Sequence, residues 1–204
     1  AVSCDGHPSP ATRAALDAYA SRRGARAAEE GEADLVLHVT PDHDLDLESL
    51  ELLVGYVARE GTFSAAPRVV RDDDLLDYAG MVVRPDGTLG RLLRCLPQDD
   101  GGYVGRAQRP YDALVVNPEC CLVDARALAR LGLAGGFLTP GYALAEAFVR
   151  AYGAGLRNVF LPYATARLGA PRAVMTLVGA SERADAARMV GLFPRLAEGD
   201  PSHS

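Results

Sequence analysis

The sequence predicts a layered α/β fold, a mixed sheet flanked by helices, and three observations lead there. Short apolar runs of strand length alternate along the chain with amphipathic or Ala-rich helical segments. With 49% hydrophobic and 24% charged residues, the chain has the balance of one that buries a core. Its 204 residues contain no repeat and no linker-like stretch, so one domain over 1–204 is expected, with 181–204 as a C-terminal helix and tail.

Each element has a local cause. Ser9-Pro10 is a helix start, because Ser accepts a hydrogen bond from the first turn and Pro suits the first helical position. The Ala/Arg-rich run Ala11 to Ala28 follows, interrupted by Gly24. Leu35 to Val39 is a strand stopped by Pro41. Leu47 to Glu60 has Leu47, Leu50, Leu53, Val54 and Val57 at helical spacing, early acids at Glu48 and Glu51, and Gly61 at its close. Phe63 to Val70 and Gly80 to Val83 read as strands, with a turn at Arg84 to Thr88. Asp99-Asp100-Gly101-Gly102 is an exposed loop, able to act as a lid over a ligand. Ala113 to Val116, Cys120 to Val123 and Asn158 to Leu161 are further strands. Helices are expected at Ala125 to Leu131, Ala143 to Tyr152 and Ser181 to Leu196.

The bulk chemistry excludes several functions. The net charge of −6 leaves no cationic surplus for phosphate backbones, which argues against a nucleic acid partner. No apolar run approaches the roughly 18–20 residues that span a bilayer, and no signal peptide is read at the start. Cys4, Cys95, Cys120 and Cys121 lack C-x-x-C spacing and are read as free thiols, which points to a cytoplasmic setting.

Two stretches carry a family likeness. Ala79 to Thr88 leads into Leu96-Pro97-Gln98-Asp99-Asp100 and on to Arg106; Cys120 to Leu128 is followed by Gly135-Gly136-Phe137, Arg150 to Arg157 and Val159 to Ala164. In this order they resemble the second half of a family 2 glycosyltransferase domain. Upstream, Asp5-Gly6 with Pro10 to Arg13, and Glu32 to Val39, resemble its nucleotide-binding segment and the strand before its D-x-D motif. The resemblance implies a GT-A-like (Rossmann-like) sheet that takes a sugar from a nucleotide diphosphate donor. It implies Asp5 and Gly6 at the nucleotide, Mg²⁺ or Mn²⁺ on the D-x-D carboxylates to neutralise the leaving diphosphate, and an acid that deprotonates the acceptor.

Departures from that pattern accumulate. The family's opening strand has no counterpart before Ala1-Val2. Ala28 to Glu32 joins two segments that the family separates by a strand and a helix, so part of the N-terminal nucleotide-binding half is lacking. Thr40 stands at the first D-x-D position, with Asp42-His43-Asp44 as a shifted triplet that either holds a metal or forms an ordinary turn. Leu144 occupies the place of the base, leaving Glu146 nearby, and Thr165 to Leu168 lacks the family's metal-binding histidine. Two readings follow. In one, the domain has lost transfer chemistry, needs no cofactor, and binds a glycan, a nucleotide sugar, or a protein partner or second copy at an open sheet edge. In the other, it is an inverting glycosyltransferase with metal on Asp42 and Asp44 and Glu146 as base.

Overall fold

The computed structural model describes residues 2–5, 7–23, 33–169 and 178–201. Ten strands run β1 (Val2–Asp5), β2 (Leu35–Val39), β3 (His43–Leu45), β4 (Thr62–Arg71), β5 (Leu76–Tyr78), β6 (Met81–Val83), β7 (Leu89–Arg91), β8 (Tyr111–Ala113), β9 (Cys120–Asp124) and β10 (Arg157–Leu168). The helices are α1 (Pro10–Arg23), α2 (Leu47–Val57), α3 (Ala125–Arg130), α4 (Pro140–Gly153) and α5 (Ala180–Leu192), with 3-10 segments at Tyr103–Gln108 and Pro194–Glu198. Gly6, the Ala28 to Glu32 junction and the tail beyond residue 201 lie outside the described residues.

The main sheet runs β1-β2-β9-β4-β10-β3, with β5 added to β4 and β8 to β10; β6 and β7 form a separate ribbon. β1 and β2 pair in parallel, as do β4 and β10, whereas β9 is antiparallel to both β2 and β4. β1 therefore sits directly against β2 at one end of the sheet, and no strand fits between them.

The long parallel pair forms the centre. β4 is buried along nearly its whole length, on both side-chain parities, as expected of a strand covered on two faces. α2 and α4 both pack on β4 and β10 and cover the central pair. Phe63 meets Phe148 of α4 edge-on at 6.2 Å, and Tyr78 meets Phe160 at 5.6 Å; both pairs add about 0.5–1.5 kcal/mol to simple area burial. The pairing then breaks its step: Leu161 lies opposite Pro67, but Thr165 lies opposite Arg68. The extra residues 162–164 in β10 bend the sheet and leave Tyr163 58% exposed. Pro67, which has no N–H to give a ladder, sits at that break.

Local signals explain the helix starts. Thr12 N donates to Ser9 Oγ at 3.2 Å ahead of Pro10. Ser49 N donates to Asp46 at 2.7 Å, and Ala127 N to Asp124 at 2.8 Å, each satisfying an orphan first-turn donor. The apolar run Leu114 to Val116 is fully core but not strand: the ladder ends at Ala113, and the Leu114 carbonyl instead accepts from the Asn158 side chain at 2.9 Å. Asn158 also donates to the Phe148 carbonyl and accepts from Ser64 Oγ, so one buried amide ties β10 to β4, to α4 and to the chain after β8.

Two outcomes are expected. Replacing Asn158 by Leu removes its three buried hydrogen bonds, to Leu114, Phe148 and Ser64, and is expected to lower stability by about 3 kcal/mol, read from the urea midpoint. All four cysteines are free, and Cys120 and Cys121 are fully buried. Burial, with Glu119 and Asp42 nearby, pushes the Cys120 thiol from the usual 9.0 up to about 12. The unfolded chain gives up that proton near pH 9 and the folded chain retains it, so stability is expected to fall between pH 9 and about 12. At pH 8, Ellman's reagent is expected to spare both thiols in the native chain and to react with all four after denaturation.

Candidate active site

The turn leaving β2 is the place where a D-x-D motif is expected. Thr40 N donates to the Glu119 carbonyl at 2.9 Å, fixing this turn to the start of β9. Within it, Thr40 Oγ1 bonds Asp42 Oδ1 and lies 2.7 Å from His43 Nδ1, which is 3.2 Å from the same Asp42 oxygen. His43 is fully buried. Its carbonyl accepts from Thr12 Oγ1 at 3.1 Å, and Thr12 Oγ1 accepts from Leu45 N at 2.9 Å, latching β3 to α1.

Asp42-His43-Asp44 is thus a turn running into a strand. β3 alternates: His43 and Leu45 face inward and Asp44 outward, across the ladder from Arg167. The Asp42 carboxylate turns back on Thr40 and His43 while that of Asp44 stands in solvent. A hard divalent cation requires several oxygen ligands converging on one point. This donor set does not fit one: among the described residues, no three His, Cys, Asp or Glu side chains gather closely enough to hold a metal.

Beside this turn lies a charge cluster that the motif reading passes over. Asp77, on β5, is fully buried. Arg94 donates to its Oδ1 from Nε at 3.0 Å and Nη2 at 2.8 Å, and Arg91 donates to its Oδ2 and to the Glu119 carboxylate. Two carboxylates and two guanidiniums compensate one another, as burial demands. The signal for it was an acid inside the apolar run Leu75-Leu76-Asp77-Tyr78, a position that requires cationic partners.

Glu146 sits elsewhere, on the buried face of α4. Its carboxylate accepts from Ala134 N at 2.6 Å, Gly135 N at 3.1 Å and Arg150 Nε at 2.7 Å. Burial raises its pKa, but the Ala134 and Gly135 amides and Arg150 outweigh it and hold the carboxyl below the ordinary range. Asp185, which the sequence reading did not single out, does the same from α5: it accepts from Leu138 N, Thr139 N and Thr139 Oγ1. Together they clamp the connection between α3 and α4. Leu144 packs in the core.

The geometry therefore joins Asp42 to Thr40 and His43, and joins Glu146 to residues 134, 135 and 150; Asp42, Asp44 and Glu146 share no partner in these contacts. Asp5 ends β1 opposite His38, and Gly6 follows outside the described residues.

No protein-family model and no curated protein matches this chain. Solved structures do match, among them the crystal structure of GalNAc-T7 with UDP, GalNAc and Mn²⁺. The superposition has a TM-score of 0.57 at 13% sequence identity, and it covers 87% of this chain and 34% of that one. The chain has a GT-A-like fold. It spans about a third of the length of that protein, and at this identity the likeness concerns the fold alone. Among the described residues, no helix is long and apolar enough to cross a membrane.

The clamp and the buried cluster make separable predictions. Asp77→Ala removes the buried acid that Arg91 and Arg94 share, leaving Glu119 on Arg91, and is expected to cost about 3–5 kcal/mol in urea unfolding. Because the Glu146 pKa is depressed, its stabilisation is present above the unfolded carboxyl value and lost as pH falls through the folded one. Glu146→Gln is therefore expected to lessen the acid sensitivity of the midpoint while lowering stability at pH 7.

Proposed function

We propose that this chain is a glycosyltransferase-like domain of the family 2 kind, a single domain over its length, that retains the fold as a binding module and no longer transfers sugar. One observation carries the reading: the acid nearest the base position, Glu146, is fully engaged by two amides and a guanidinium. A general base must lie within reach of the proton it removes, and this carboxylate is fully buried with most of its lone pairs turned on the chain. Leu144, at the place where the resemblance puts the base, carries no proton acceptor. The D-x-D position supports the same reading, since Thr40 replaces one acid and Asp42 and Asp44 diverge.

A domain of this fold without transfer chemistry suits a nucleotide sugar or a glycan as ligand. Among the described residues β1 ends the sheet, and its outer edge is where a partner strand or a second copy would add. Four free cysteines fit a reducing, cytoplasmic setting. The active alternative assigns Mg²⁺ or Mn²⁺ to Asp42 and Asp44 and the base to Glu146; what favours it is the fold shared with GalNAc-T7, a protein whose structure holds UDP and Mn²⁺.

Calorimetry separates the two. UDP- and GDP-sugars are expected to bind no more tightly than about 1 mM, with or without Mn²⁺. Micromolar, metal-dependent binding that disappears in Asp42→Ala, together with turnover that disappears in Glu146→Ala, would establish the active alternative.

A further inference from the structure

A second polar cleft opens at the C-terminal end of β4, walled by Arg68, Asp73, Asp74, Gln98, Asp99 and Gln108. Its volume, about 700 Å³, lies in the range of small-molecule sites, about 300–1,000 Å³. The walls are held by their own hydrogen bonds. Arg68 donates from Nη1 to the Gln98 carbonyl at 3.2 Å and from Nε to Thr165 Oγ1 at 3.0 Å. Gln98 Nε2 donates to Asp74 at 3.0 Å, and Gln108 Nε2 to the Asp99 carbonyl at 3.2 Å.

These bonds fix the lining groups without exhausting them. Among the described residues, Arg68 Nη2, the Oε1 atoms of Gln98 and Gln108, and the Asp99 carboxylate take no protein partner. The result is a set of planar, two-atom polar ends, both donors and acceptors, presented from rigid supports. The signs of charge nearly balance. Asp73 is compensated by Arg71 and Asp74 by Arg167, leaving Asp99 and Arg68 as one acid and one base in the lining. A cleft so composed has no cationic surplus to hold a diphosphate and suits a neutral ligand rich in adjacent hydroxyls, each of which donates and accepts.

The backbone supports a site here. Among the described residues, four non-glycine residues have left-handed φ: Asp74 at 60°, Leu93 at 57°, Cys95 at 65° and Val104 at 55°. All four fall in the stretch 74–104 that supplies Asp74, Gln98 and Asp99 to the wall. Strain of this kind persists where surrounding structure over-determines it, and it concentrates at ligand sites. The Asp99-Asp100 loop that the sequence marks as a candidate lid forms part of this wall.

We propose that this cleft binds a neutral oligosaccharide, with Asp99, Gln98, Gln108 and Arg68 reading adjacent hydroxyls. It rests on the glycosyltransferase-like reading for the choice of sugar as ligand, while its location and composition stand on their own. The test is titration of the full ¹⁵N-labelled chain with lactose, cellobiose and diacetylchitobiose, without nucleotide or metal. At least one is expected to shift the amides of 97–108 with a dissociation constant of about 1 mM. Asp99→Ala and Gln108→Ala, both at exposed positions, are each expected to weaken that binding by about tenfold, the loss of one good polar contact. Arg126→Ala, in the separate cavity at the other end of β2, is expected to leave it unchanged. Silence from all three sugars overturns the proposal, as do shifts that persist in both variants or a site filled instead by UDP. Micromolar, Mn²⁺-dependent binding of a nucleotide sugar overturns the non-transferring reading alone, provided that Asp99→Ala still removes the oligosaccharide.

Discussion

The parallel pairing of β4 with β10 is the constraint on which the rest of the structure depends. Every strand of the main sheet except β1 and β2 bonds directly to one of these two, and β2 reaches them through β9. Parallel strands so far apart in sequence cannot meet through a tight turn. Their contact closes a loop of nearly a hundred residues, and its entropy has to be recovered by burial on both faces. The two central helices supply that burial, and Asn158 satisfies the carbonyls where β10 enters the core. The step at Leu161 and Thr165 then turns the far halves of both strands, which allows β3 to join β10 only a few residues after β2 has ended.

Buried acids complete this architecture. Asp77 receives two arginines, Glu146 and Asp185 take the amides of one connection, and each is surrounded by donors. For Glu146 those donors hold the carboxyl below its ordinary range and make it a poor proton acceptor, because accepting a proton would break several charge-assisted bonds at once. The same residue type can serve as clamp or as base, and the number of donors already aimed at it decides which. That criterion separates Glu146 from Asp99, whose side chain meets solvent.

Much of this fold was legible in the sequence. The helix starts at Ser9-Pro10 and Leu47 rest on local hydrogen bonds and fall where the residues place them, and β2, β4 and β9 are apolar runs long enough to declare themselves. β1, β3, β5 and β7 were not legible. At three or four residues each they contain no period to detect, and their strand character comes from neighbours distant in sequence. Leu114 to Val116 shows the converse: an apolar run reports burial, and whether it forms a ladder depends on what its carbonyls find, here the amide of Asn158. The candidate site divides in the same way. Asp42 and Asp44 were visible as a spacing, but only β3, which the spacing conceals, reveals that they part company across a strand.

Conformational strain and chemical availability coincide in one region, and this links the fold to its use. Among the described residues, the stretch from Asp74 to the second half of the Tyr103–Gln108 segment holds the non-glycine left-handed residues and the polar ends of the cleft left without protein partners. The opposite holds around α4, where regular helix, satisfied carboxylates and buried apolar side chains leave no group for a ligand to engage. A chain that had lost only its catalytic acids would gain nothing by keeping strained backbone beside an open polar cleft, because relaxing Leu93 or Cys95 to an ordinary conformation would stabilise it. That strain is accounted for if the loops around Gln98 and Asp99 are held for recognition, which is what the proposed oligosaccharide site requires of them.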